Sequence, residues 1–295
     1  MNQFRHKPIN LEGYSIRLLR LCKADFGNVQ CELIHAYLDD KNIMEYEALS
    51  YTWGGSYKAH DVEVDGGMMA VTQNLSLALR SLRKSNEDRI LWVDAICIDQ
   101  ENDEEKGHQV SQMGSIFAKA AQVLIWLGPA TPETNLVFRE ISKLTPDQKE
   151  GLNDLLSRPW FERVWIIQEV ANAKRARVVC GAESVLARTF ALFSFLSEIS
   201  PSQHCQAIMD VMPGPTREYS WWTENHDLNT LLLKFRGSQA SEPRDKICAL
   251  LGISSDRATK GFPVPNYTKS EVEVVQDTVA FLLQLPTGME GSSYS

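Results

Sequence analysis

Two apolar runs constrain this chain more than anything else in it: "RILWVDAICI" (Arg89–Ile98) and "QVLIWLG" (Gln122–Gly128). Both are strand length, and neither alternates polar with apolar residues. A strand that is apolar on both sides must be covered on both faces, as in a parallel sheet between helices. Between the runs lies "NDEEKGHQVSQMGSIFAKA". It begins with acids and carries Val110, Met113, Ile116, Phe117 and Ala120 at helical spacing. Strand, helix, strand in this order implies a βαβ crossover and parallel pairing.

The same alternation extends outward. "YEALSY" (Tyr46–Tyr51) reads as a strand, and "TQNLSLALRSLRK" as a helix with Leu75, Leu79 and Leu82 on one face and Thr72 or Asn74 as its cap. "RPWFERVWIIQEVANAK" predicts one helix over Pro159–Ala173, with Pro159 in the first turn, and "ARVVCG" a short strand after it. The strands of this core are expected at Tyr46–Tyr51, Ile90–Ile96, Val123–Leu127 and Arg177–Cys180. Upstream, "SIRLLRL" and "VQCELIHAYL" are strands, and "HDVEVDGGMMAVT" is a hairpin turning at Asp65-Gly66-Gly67. After Gly181 the texture becomes helical, with "RTFALFSFLSEIS", "SEPRDKICALLGIS" from Pro243 to Gly252, and "SEVEVVQDTVAFLLQL". The tail "PTGMEGSSYS" is polar and expected to fray. The expected organisation is an N-terminal β extension over 1–45, an α/β core over 46–181 and a mostly helical region over 182–295 packed on the core.

At 295 residues and 43% hydrophobic content, the chain can build a sizeable core. Its net charge of -8 and the lack of a Lys/Arg run argue against nucleic-acid binding. The six cysteines form no CxxC pair and most lie in apolar runs, the pattern of reduced thiols in a cytoplasmic protein. No secretory signal and no membrane span are expected.

Several chemistries lose support. There is no P-loop, no dinucleotide fingerprint after a strand, no nucleophile elbow and no HExxH. No metal site is expected. "DQENDEE" lacks the glycine of a calcium loop and reads as a solvated helix start. Cys97 has no histidine placed by sequence to activate it.

In an open parallel sheet, ligands bind beyond the carboxyl ends of the strands. "SYTWG", "DAICIDQ" and "LGPAT" should reach that edge, bringing Ser50, Tyr51, Trp53, Gly54, Asp94, Asp99 and Gln100. Aromatic faces with a few polar groups suit a flat polar ligand such as a nucleotide. Asp94 can bind that ligand, cap backbone groups or pair with Arg163. Trp53 can line the site or pack. Trp92, Trp126, Trp160 and Trp165 are read as core, and Arg163 and Gln168 as polar supports within an apolar helix.

"YEALSYTWG", "VTQNLSLALRSLR", "RILWVDAICIDQENDEEKGHQVSQMGSIFAKAAQVLIWLG" and "RPWFERVWIIQEV", over roughly Tyr46 to Val170, closely resemble the fungal heterokaryon-incompatibility (HET) domain. "EPRDKICALLGI" resembles a piece often found downstream of it. The resemblance implies a role in nonself recognition between fungal strains, ending in programmed cell death. HET domains in turn look distantly like Toll/interleukin-1 receptor (TIR) domains, which implies a flavodoxin-like parallel sheet flanked by helices. Many TIR domains cleave NAD+ when they assemble, using a helical glutamate in a "WCxxEL"-like stretch. "VWIIQEV" is similar. The resemblance therefore implies Glu169 as the catalytic residue, with Trp165 beside the ligand.

The implied activity is an NAD+ glycohydrolase switched on by self-association, with NAD+ as substrate and no resident cofactor. Other incompatibility or receptor proteins would be its partners. The alternatives are a non-enzymatic death-signalling adaptor and a biosynthetic enzyme reusing the fold.

Overall fold

The computed structural model describes residues 2–55, 57–139, 145–197 and 199–284. The polar tail from Pro286 onward lies outside the described residues. Nine strands are described: β1 (Ser15–Leu21), β2 (Gln30–Tyr37), β3 (Glu47–Tyr51), β4 (His60–Val64), β5 (Gly67–Val71), β6 (Arg89–Trp92), β7 (Gln122–Trp126), β8 (Ala176–Cys180) and β9 (Glu183–Leu186). They form one sheet in the order β5-β4-β2-β1-β6-β3-β7-β8-β9. The helices between strands are α1 (Gln73–Leu82), α2 (Asp94–Cys97), α3 (Asp103–Lys119), α4 (Pro132–Arg139), α5 (Pro146–Leu156) and α6 (Trp165–Asn172). After β9 come α7 (Ala187–Ser197), α8 (Gln203–Val211), α9 (Pro215–Glu218), α10 (Trp221–Glu224), α11 (Leu228–Lys234), α12 (Asp245–Leu251) and α13 (Glu271–Leu282).

The four core strands β6, β3, β7 and β8 are mutually parallel. Taken in chain order as first to fourth, they lie 2-1-3-4 across the sheet, the flavodoxin-like arrangement. Outside them the sheet is mixed. The N-terminal extension enters as β1, antiparallel to β6, and continues through β2 to the β4–β5 hairpin. β9, which carries no strong strand pattern, closes the other side antiparallel to β8.

Helices cover both faces. The even-numbered face of β3 meets α3, where the Tyr46 hydroxyl donates to the Ile116 carbonyl at 2.7 Å. The opposite face meets α1: Trp126, level with Tyr51 in the register, donates its indole N–H to Asn74 at 2.9 Å. Thr72 caps α1 and Asn102 caps α3, each accepting a first-turn N–H. Buried apolar side chains form one cluster from Ile16 to Ile253, so the α7–α12 region shares the core of the sheet. No helix among the described residues is long and apolar enough to cross a membrane.

Three local expectations are corrected. The run Ile90–Ile96 is not one strand: β6 ends at Trp92, and Asp94–Cys97 is a single helical turn. The Asp94 carboxylate takes the Ala95 N–H at 2.7 Å and helps bend the chain. The stretch Pro159–Ala173 is not one helix. A 3₁₀ turn at Pro159–Glu162 is followed by an extended Arg163, and α6 starts at Trp165. Gln239 pairs with that break: Val164 N donates to Gln239 O at 3.0 Å, and Gln239 N donates to Glu162 O at 2.6 Å. The backbone groups freed by the break are thereby satisfied.

The acidic start of α3 is also not wholly solvated. Glu105 is 2% exposed and forms a bidentate pair with buried Arg17 of β1, at 2.6 and 2.9 Å. Arg17 further donates to the Cys97 and Lys7 carbonyls, and Glu105 accepts the Asp99 N–H. This pair ties the N-terminal extension to the turn that carries Asp94.

Candidate functional site

The 2-1-3-4 order puts the topological switch at β3, whose two parallel neighbours are built in opposite directions. The carboxyl end of β3 supplies Ser50, Tyr51, Trp53 and Gly54. Asp94 arrives from the turn after β6, and Glu169 from the middle of α6.

The Trp53 indole donates to Asp94 Oδ2 at 2.8 Å. Gln100 donates to the Asp94 backbone carbonyl at 3.0 Å, closing the turn. The Tyr51 hydroxyl also meets the Asp94 carboxylate, and burial first, then that negative charge, push the phenol well above its ordinary range. Asp94 therefore does the capping that the sequence left open. The Arg163 guanidinium donates to the Tyr51 carbonyl.

On the other face of β3, Ser50 Oγ accepts the Trp160 indole N–H at 2.8 Å and is a hydrogen-bond partner of Glu169. Glu169 is 4% exposed, and its Oε2 has no hydrogen-bond partner. An ionised carboxylate so placed is poorly solvated. Burial pushes the Glu169 carboxyl up to about 7. The Arg163 charge and the Ser50 hydrogen bond pull the other way, and the Asp94 charge adds to the rise. Glu169 is thus neither a solvent-facing helical glutamate nor part of a wet crevice.

Two expected residues stand differently. Gly54 contributes backbone: its φ of +75° is a conformation that side chains rarely adopt, although an added Cβ would only touch Asn74 at 3.4 Å. Trp165, one turn before Glu169, gives its indole N–H to Asp245 Oδ2 at 3.0 Å, in α12. Asn74 was missed. It donates to the Thr52 carbonyl at 2.6 Å and accepts from Trp126, holding the loop of Trp53 onto α1. The sequence carried only its candidacy as a cap, a place that Thr72 takes.

The site is closed. Cavities of about 940, 420 and 450 Å³ lie elsewhere, the first between α8 and α11. At the strand ends the space is taken by Trp53 and Trp160. What remains is a buried carboxyl that changes charge near neutral pH, between a guanidinium and a second carboxylate. Such a group can stabilise a developing cation when ionised.

Residues 46–169 match the sequence model of the family described as Heterokaryon incompatibility protein (HET). This stretch is similar to a HET domain. It begins at β3 and ends at Glu169, so it contains the four parallel strands except β8, together with Ser50, Tyr51, Trp53, Asp94, Trp160, Arg163 and Glu169. Beyond the matched stretch, similarity continues: the chain is 26% identical over 322 aligned positions to Heterokaryon incompatibility protein 6, OR allele, of Neurospora crassa. That alignment covers 81% of this chain and 47% of the relative, so the chain spans about half the relative's length. No solved structure matches the chain.

Proposed function

We propose that this protein is a HET-domain effector of fungal nonself recognition and programmed cell death, and that its Glu169 site cleaves NAD+ once self-association opens it. The family match and the Neurospora relative support the first part. The observation that carries the second is the Glu169 carboxyl, buried at the switch point with one oxygen unpartnered and poised near 7.

The chemistry needs one well-placed carboxylate. The bond from ribose C1′ to the nicotinamide nitrogen breaks, and nicotinamide leaves as a neutral molecule with the electron pair. Positive charge passes to the ribose as an oxocarbenium-like centre, which ionised Glu169 stabilises. Water adds at C1′ and releases a proton, leaving ADP-ribose. Trp53 would have to leave Asp94 to admit the nucleotide, and its ring face could then stack on a flat base.

The test is nicotinamide release from NAD+ by concentrated protein. Glu169→Gln keeps size and removes the charge, and the rate should fall about 10²-fold or more. Full turnover by that variant removes Glu169 from the role. A second reading, a non-enzymatic adaptor, is favoured by the tryptophans that fill the strand ends. It expects no nicotinamide from any assembled form.

A further inference from the structure

The HET match stops at residue 169, but the elements that hold Glu169 in place do not. Three contacts from the segment after residue 238 fall on the short stretch that carries Arg163 and Glu169. Gln239 pairs with the backbone on both sides of Arg163, with N···O distances of 3.0 and 2.6 Å. Asp245 accepts the Trp165 indole N–H at 3.0 Å. Gly252, at the end of α12, leaves room for the Gln168 side-chain amide, which an added Cβ would meet.

Asp245 is the centre of this set. It is 8% exposed, and both carboxylate oxygens are engaged: Oδ2 by Trp165, Oδ1 by the Tyr267 hydroxyl at 2.8 Å. Tyr267 is held in turn. Arg244 donates to the Tyr267 and Lys269 carbonyls, each at 3.0 Å, and its guanidinium lies 5.6 Å from the Tyr267 ring centre. Trp165 and Glu169 are four residues apart on α6, so they project from the same side of the helix one turn apart. α6 has no side-chain cap at its N-terminus. Its first turn is fixed instead by the Trp165–Asp245 bond. With only eight residues, α6 depends on such packing for its place.

We propose that Asp245 is a positioning residue for the Glu169 site, acting through Trp165, and that Gln239–Tyr267 belongs to the same functional unit as the HET domain. The consequence for catalysis rests on the NAD+ reading above; the positioning does not. Burial is the main cause of Glu169's raised midpoint, so a loosened α6 admits water and lowers it.

The experiment compares the full chain with Asp245→Ala, Trp165→Phe and the double variant, without ligand. Carboxyl ¹³C NMR on glutamate-labelled protein follows the Glu169 midpoint, assigned by its loss in Glu169→Gln. Each single variant should move the midpoint down from about 7 by a unit or more, and the double variant should move it no further than the larger single effect. Nicotinamide release, where the parent shows it, should fall about tenfold or more in kcat. Should Asp245→Ala fail to fold, Asp245→Asn and Tyr267→Phe each weaken the same link and take its place. Folded variants that keep the parent's midpoint overturn the proposal, as does a double variant whose shift is the sum of the two. A parent that releases no nicotinamide sinks the NAD+ reading alone, because the midpoint still decides the role of Asp245.

Discussion

Trp53 and Asp94 are 41 positions apart in the chain and 2.8 Å apart in the fold, indole N–H to carboxylate oxygen. That bond joins the end of β3 to the turn after β6 and closes the edge of the sheet where a ligand would enter. Trp53→Phe keeps most of the ring and leaves Asp94 one donor short. It should cost about 1 kcal/mol of stability, read from a urea unfolding curve with unchanged slope.

Asp94→Asn should cost about 1–2 kcal/mol. An amide offers one acceptor oxygen where the carboxylate uses Oδ2 for Trp53 and Oδ1 for Ala95. A variant as stable as the parent would show that the turn does not need this cap.

The Glu169 carboxyl makes stability depend on pH. Its folded value, about 7, lies above the ordinary glutamate value, so the native state holds a proton that the unfolded chain has lost. The contribution is full below about pH 4.5, decreases as pH rises, and is gone once pH has risen through 7. The difference is about 3 kcal/mol by linkage. Glu169→Gln should flatten the curve over that window and should not destabilise the protein at pH 8. Denaturant titrations at pH 5, 6, 7 and 8 read this directly. Any NAD+ cleavage should rise over the same window, because the ionised form carries it.

The Arg17–Glu105 pair gives the opposite sign. The Arg17 hydrogen bonds, the Asp99 N–H and the nearby charges outweigh burial and hold the Glu105 carboxyl below its usual value. Its contribution is present above the ordinary glutamate range and is lost as pH falls through the lowered value. Glu105→Gln strands a buried guanidinium and should cost about 3–5 kcal/mol, whereas Arg17→Met with Glu105→Leu should recover much of that. Melting of the parent and these two variants at neutral pH tests the ranking.

Much of the fold was legible because it follows from local pattern. Non-alternating apolar runs require burial on both faces, and amphipathic helices between them require parallel crossovers. This holds for β3, β6, β7, α1 and α3, and for the hairpin at Asp65-Gly66. β9 was not legible. Its four residues pair with β8 only because the chain turns back at Gly181.

The candidate site divides the same way. Residue type and place along the strands singled out Ser50, Tyr51, Trp53 and Asp94, the TIR resemblance singled out Glu169, and the fold brings all five to the end of β3. Sequence could not say that Glu169 is buried. The cluster is assembled by Trp160 reaching Ser50 and Trp53 reaching Asp94 across 110 and 41 positions. Nor could it break the helix at Arg163, because the partner that satisfies the broken backbone, Gln239, lies 76 positions downstream by residue number. Periodicity reports which side of an element is buried. Whether a buried carboxyl has a partner, and so what charge it carries at neutral pH, is set by atoms that only the tertiary structure brings within hydrogen-bonding distance.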